Sequence, residues 1–134
     1  MYLLDTNLVS ELCNIRPGKA DRNVAMWADS VDANELYISV ITLQELEIGI
    51  LLTARRDTSQ GAILRTWMDR HVLPAFADRI LSVDTAVALR GARLHIPDPR
   101  PIRDALIAAT ALVHGMTVVA RNTTDFEPPP APQR

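Results

Sequence analysis

The sequence predicts a three-layer α/β/α fold built around a parallel β-sheet. Four short apolar runs contain β-branched residues, helical periodicity fills the segments between them, and polar residues follow the runs directly. Strands that alternate with helices form parallel sheets whose two faces are covered through right-handed crossovers. At 134 residues, the chain has the usual size of a single domain.

The predicted elements alternate regularly along the chain. Apolar runs at residues 2–4, 36–40, 79–83 and 116–120 predict the four strands. Helical spacing predicts helices over residues 8–12, 23–30, 42–56, 58–71, 85–94 and 101–114. Pro74 is expected to close the fourth helix, Pro101 to take the first position of the last one, and Gly115 to end it.

The end of the chain differs in composition from the rest. Residues 1–127 are expected to form one domain, whereas residues 128–134 contain four prolines and predict an extended or disordered tail.

Composition excludes several classes of protein. The net charge of −2 argues against a protein that coats duplex nucleic acid by bulk electrostatics. Cys13 is the single cysteine, which excludes an internal disulfide and a multi-cysteine zinc site. The sequence shows neither an apolar run of about 20 residues nor a secretory signal. We therefore expect a cytoplasmic protein.

Carboxylates and amides gather at the predicted strand ends or in the first turns of helices. They are Asp5, Glu45, Asp104 and the segment at 122–125. The carboxyl ends of parallel strands meet at one edge of the sheet, where ligands bind. Separated oxygen ligands, without cysteine or suitably spaced histidine, favour Mg²⁺ or Mn²⁺. A site of this type can activate water for displacement at phosphorus.

Each of these residues also has a purely structural explanation. Asp5 could cap the helix that follows it, and Glu45 could complete a capping box with Thr42. Asp104 would be favourable in the first turn of a helix without any function, and Asp125 could form a turn. Four coincidences on one predicted edge favour the functional interpretation.

The sequence resembles the PIN domain family, and most closely the VapC or FitB type of bacterial toxin component. The resemblance extends from Met1 to about Phe126. It is carried by four motifs in family order, which are LDTN at residues 4–7, SVITLQELEIG at 39–49, DALIAATA at 104–111 and VARNTTDF at 119–126.

This resemblance implies a PIN-like sheet of four to five strands and a Mg²⁺- or Mn²⁺-dependent ribonuclease. The catalytic and metal-binding cluster would be Asp5, Glu45 and Asp104, supported by Thr6 and Asn7. Where many relatives have a fourth aspartate, this chain has Asn122, so Asn122 or Asp125 is the expected further metal ligand. Arg121 is a candidate contact to substrate phosphate. The resemblance also implies a homodimer and a cognate VapB-like antitoxin.

Three other functions are alternatives to the ribonuclease. A haloacid-dehalogenase-like phosphatase needs an aspartate two residues after its nucleophile, where this chain has Asn7. A receiver domain needs a lysine at a later strand end, whereas the only lysine is Lys19 in an early loop. The third alternative stays open, and it is a non-catalytic PIN-like protein that binds RNA or an antitoxin without turnover.

Overall fold

The computed structural model describes residues 1–13 and 22–120. Within these residues, four strands alternate with helices as predicted. The strands are β1 (Tyr2–Leu4), β2 (Leu36–Ser39), β3 (Ile80–Leu81) and β4 (Thr117–Val119). The helices are α1 (Thr6–Leu12), α2 (Arg22–Asp29), α3 (Val40–Arg56), α4 (Thr58–Trp67), α5 (Leu73–Ala75), α6 (Thr85–Arg93) and α7 (Ile102–His114).

The four strands form one sheet in the order β3-β2-β1-β4. Every neighbouring pair is parallel, and Tyr2 aligns with Leu36 on one side and with Thr117 on the other. This arrangement confirms the predicted parallel sheet and places the carboxyl ends of all four strands at one edge. The strand that begins the chain lies in the interior of the sheet.

The two faces of the sheet bury cores of different size, because successive residues of a strand point to opposite faces. Leu3 joins a small core with Ile107 and Ala111 of α7. Leu4 joins a large core that also contains Trp27 and Trp67. Helices therefore cover both faces, which confirms the predicted three layers.

The third helix begins two residues earlier than predicted, at Val40 rather than at Thr42. Ser39 is its N-cap, and the Ser39 hydroxyl accepts a hydrogen bond of 3.0 Å from the backbone N–H of Ile41. This capping bond satisfies a donor that the first helical turn would leave unpaired. Thr42 is therefore inside the helix and completely buried.

The prediction that Pro74 ends the fourth helix is wrong. A π-helical turn over Met68–Val72 follows α4 and leads into α5, so that the helical path continues to Ala75. Pro74 is the second residue of α5, which follows the π-helical turn directly. The widened turn before it accommodates the proline without a break.

At the last helix, the predicted stop is confirmed and the predicted start is one residue early. Pro101 is the N-cap, and Ile102 is the first helical residue. Gly115 ends α7 with a φ of 66°, in the left-handed region that glycine adopts without steric cost. The chain then turns directly into β4.

The remaining predictions concern the membrane and the tail. In the described ranges, no helix is long and apolar enough to cross a membrane. The predicted proline-rich tail at 128–134 lies outside those ranges.

Candidate active site

Asp5 directly follows β1 at the carboxyl edge of the sheet. Its backbone N–H donates to the Val119 carbonyl at 3.0 Å, and its own carbonyl accepts from the N–H groups of Leu8 and Val9 at 3.1 Å each. Asp5 is the N-cap residue of α1, but its side chain makes no capping hydrogen bond. The backbone alone therefore starts the helix, and the carboxylate is not used as a cap.

Glu45 reaches the same edge from the second turn of α3. Its half-buried carboxylate accepts a hydrogen bond from the Thr6 hydroxyl, with 2.5 Å between Thr6 Oγ1 and Glu45 Oε1. Thr6 Oγ1 also lies 3.2 Å from Thr42 Oγ1. Because Ser39 caps α3, the capping box proposed for Glu45 does not exist. Its partner is instead the residue next to Asp5.

Asp104 lies in the first turn of α7 and is exposed. A negative charge stabilises this end of a helix, so the structural explanation of Asp104 holds beside a functional one. The preceding residue, Arg103, extends toward α3, where its Nη1 lies 3.7 Å from Glu45 Oε2. The first turn of α7 thus adjoins the carboxylate of Glu45.

Asp5 lies within electrostatic range of the other two carboxylates. Burial is the main cause that raises the pKa of Asp5 above its ordinary value, and the charges of Glu45 and Asp104 raise it further. A hydrogen bond with the backbone of Thr6 opposes the shift. Elements that are distant in sequence therefore place two further carboxylates within electrostatic range of Asp5.

The other predicted site residues are placed less completely. Asn7 is exposed in the first turn of α1, and its supporting role stays a prediction. Arg121, Asn122 and Asp125 lie outside the described residues. Across residues 1–13 and 22–120, no group of three His, Cys, Asp or Glu side chains is gathered closely enough to hold a metal ion.

Two side chains at this edge were not predicted from the sequence. Thr42 was interpreted only as a cap, but it is buried beside Thr6. Arg103 was not among the predicted site residues, although it directly precedes Asp104. Its adjacency to a candidate ligand was the available signal, whereas its proximity to Glu45 depends on the packing of α3 against α7.

The cysteine and the histidines have structural surroundings. Cys13 packs against the large core, and burial raises the pKa of its thiol, which lowers its reactivity. His71 and His114 are exposed, and His95 Nδ1 accepts a hydrogen bond of 3.0 Å from the backbone N–H of Arg100.

A family model and several known proteins match this chain over most of its length. The PIN domain model matches residues 2–127. The toxin FitB of Neisseria gonorrhoeae is 37% identical over 131 residues, which cover 94% of this chain and 91% of the relative. The VapC ribonuclease Y4jK of Sinorhizobium fredii is 36% identical over 132 residues, which cover 95% and 91%.

Solved structures agree with these sequence relatives. The crystal structure of FitAcB from N. gonorrhoeae superposes with a TM-score of 0.78 at 35% identity and covers 94% of this chain and 91% of that chain. A toxin-antitoxin complex from Klebsiella pneumoniae gives a TM-score of 0.63 at 27% identity, with 94% and 90% covered. The family model, the sequence relatives and the fold show that this chain belongs to the PIN domain family.

Proposed function

We propose that this chain is a Mg²⁺- or Mn²⁺-dependent endoribonuclease and the toxin component of a type II toxin-antitoxin system. The observation that carries the proposal is the hydrogen bond of 2.5 Å from the Thr6 hydroxyl to Glu45, which holds Glu45 beside Asp5 at the carboxyl edge of the sheet. The charges of Glu45 and Asp104 also raise the pKa of Asp5. Full-length relatives with the names FitB toxin and VapC ribonuclease support the same assignment.

The chemistry of the donor set fits a hard divalent cation. Its donors are carboxylate oxygens, and burial together with like charge raises the pKa of Asp5, a cost that a bound cation would offset. Among the described residues no group of three His, Cys, Asp or Glu side chains is close enough to hold a metal ion, so the proposal relies on few protein ligands, and Mg²⁺ usually retains several waters. Asp5 and Asp104 would hold the ion as principal ligands, with Asn122 or Asp125 as a candidate further ligand.

The protein's own residues would contribute position and charge to phosphodiester hydrolysis. When bound, the cation would lower the pKa of a water molecule and offset negative charge on the phosphate. Glu45 would act as a ligand or as the proton acceptor, and Thr6 holds one of its oxygens in place. Because each carboxylate comes from a different element, the folded sheet edge is needed to assemble the site.

A cognate antitoxin, an RNA substrate and a second copy of the chain are the proposed partners. The toxin-antitoxin complex from K. pneumoniae supports an antitoxin. In addition, α3 and α4 pack together and carry four exposed aliphatic side chains, Ile48, Leu51, Leu52 and Ile63. Exposed apolar groups of this kind suit a protein partner. The cytoplasm is the proposed location, since RNA and the antitoxin would be met there.

The direct test is RNA cleavage by protein purified free of antitoxin. We expect cleavage of single-stranded RNA with Mg²⁺ or Mn²⁺, its loss on adding EDTA and its return with excess metal. The Asp104→Asn variant serves as the control for contaminating nucleases. Cleavage that persists in this variant or in EDTA would contradict the proposed chemistry.

The competing function is a PIN-like protein that binds RNA or an antitoxin without turnover. The exposed aliphatic side chains of α3 and α4 would suit that function equally well. Binding of RNA by the wild type with intact RNA recovered after incubation with Mn²⁺ would favour this alternative.

A further inference from the structure

Arg103 is the cationic side chain that the described residues place at the acidic edge. Its Nη1 lies 3.7 Å from Glu45 Oε2, while the other oxygen of Glu45 accepts from Thr6. This distance is short enough for an ion pair but too long for a hydrogen bond. The Arg103 side chain is 54% exposed. The guanidinium thus has donors that its contacts with the described residues leave unused.

Helix stability does not explain an arginine at this position. Arg103 is the second residue of α7, where a positive charge opposes the helix dipole. The ion pair does not explain it either, because an exposed and long ion pair contributes little to stability. Neither helix stability nor the ion pair therefore accounts for Arg103, which leaves a role at the acidic edge.

The chemistry of the proposed reaction supplies one. A cluster of carboxylates repels the phosphates of RNA, and arginine is the side chain whose planar fork pairs with a phosphate through two hydrogen bonds. Arg103 Nη1 lies 3.7 Å from Glu45 Oε2, so its guanidinium lies beside the carboxylate of one proposed ligand.

We propose that Arg103 is a substrate-binding residue that contacts a backbone phosphate of single-stranded RNA beside the metal site. In the free protein it rests against Glu45. On binding RNA, its unused donors would turn to the phosphate, and the carboxylate would be left for the cation. This inference rests on the proposed ribonuclease function.

Binding without turnover tests the inference directly. A fluorescein-labelled single-stranded RNA is titrated by anisotropy over a series of salt concentrations, in the Asp5→Asn background with Mg²⁺ present. We expect Arg103→Gln to weaken binding by about tenfold at low salt. Loss of one phosphate contact should also reduce the slope of log K against log[salt] by about 0.7.

Two further variants identify the chemistry. Arg103→Lys keeps the charge but not the fork, so it should keep the salt slope and recover part of the affinity. Arg56→Gln is the matched control, because Arg56 is an exposed arginine at the far end of α3. It makes the same change of charge and is expected to bind RNA like its parent.

The active proteins give a second measurement. Arg103→Gln should raise KM for RNA more than it lowers kcat. Mn²⁺ should raise the melting temperature of this variant by at least as much as it raises that of the wild type. Two results would overturn the role of Arg103 but not the ribonuclease function. In the first, Arg103→Gln binds RNA as tightly as Arg56→Gln does. In the second, Arg103→Gln binds Mn²⁺ more weakly than the wild type, and its salt slope for RNA binding is unchanged. Failure of the wild type both to bind and to cleave RNA would overturn the proposed function as well.

Discussion

Two glutamates on α3, only two residues apart, have opposite surroundings. Glu47 forms a two-pronged pair with Arg65 of α4, with 2.9 Å from Oε1 to Nη1 and 2.5 Å from Oε2 to Nη2. Glu45 receives one hydrogen bond from Thr6 and a long ion pair from Arg103. The first carboxylate has strong partners on both oxygens, whereas the second keeps capacity for a further ligand.

The electrostatic consequences differ in the same way. The hydrogen bond from Arg65 lowers the pKa of Glu47. Glu45 instead lies among acidic groups and contributes to raising the pKa of Asp5. Residue type and helix are therefore shared, and the neighbours from other elements separate a surface ion pair from a candidate catalytic group.

The largest expected effect separates the two glutamates by activity. Glu45→Gln should lower RNA cleavage by at least about a hundredfold, since even outer-shell changes at metal sites cost about 10–100-fold. Glu47→Gln removes the same charge from the same helix and should cleave RNA at close to the wild-type rate. Initial rates on a single-stranded RNA with Mg²⁺ provide the measurement. Equal loss in both variants would mean that helix charge, and not the site, controls cleavage.

A smaller effect tests what holds the Glu47 side of α3 to α4. A Cβ added at Gly61 would lie 2.5 Å from Ala54 Cβ and 2.6 Å from Ala54 Cα. We therefore expect Gly61→Ala to destabilise the fold by about 1–3 kcal/mol through overpacking. Urea denaturation followed by circular dichroism measures this change.

Gly49 on α3 is the matched control, because an added Cβ would meet nothing within 4 Å. Gly49→Ala should stabilise the fold by about 0.5–1 kcal/mol through helix propensity. Glu47→Gln should change stability less than Gly61→Ala, since exposed ion pairs contribute little. A larger loss for Glu47→Gln would show that the ion pair, and not the close helix contact, joins α3 to α4.

The smallest expected effect concerns Asp5 and pH. Its pKa in the folded protein is raised above the ordinary value of 3.8. At a pH between these two pKa values, the folded state therefore keeps a proton that the unfolded state has lost. Stability therefore falls as pH rises from the ordinary value through the raised one. In EDTA at neutral pH, Asp5→Asn should be more stable than the wild type, and the gap should close on acidification.

Thermal unfolding in EDTA across this pH range measures the difference. Added Mg²⁺ is the internal control, because a ligand that binds only the folded state stabilises it. The wild type should gain stability and Asp5→Asn should gain less. A variant that is less stable than the wild type at every pH would contradict the assigned electrostatic cost.

Local sequence predicted most of the elements and less of their boundaries. The four strands follow from short apolar runs, and the stop at Gly115 follows from its conformational freedom. The start of α3 was misplaced because Ser39 and Thr42 both have capping side chains, and only the path of β2 selects Ser39. The path through Pro74 was missed because the proline enters at the first turn of a new helical segment.

Apolar residues in the helices do not all reach the core. Leu89 of α6 and Leu51 of α3 are 66% and 54% exposed. Periodicity identifies an apolar stripe, whereas its width depends on how closely the neighbouring helix approaches. In α6, Gly91 faces α7, because an added Cβ there would lie 3.4 Å from Leu106 Cδ2. Leu89 of the same helix lies outside this contact.

By itself, the sequence determined the α/β/α class, the order of the elements and the acidic residues at the strand ends. Each of these depends on local spacing or on polar residues next to apolar runs. Only the tertiary structure decided which partners those residues have. Thr6 and Glu45 are 39 residues apart, and no local pattern reports a contact at that separation. The same packing leaves the carboxylate of Glu45 able to bind a further ligand, whereas both carboxylate oxygens of Glu47 are paired with Arg65.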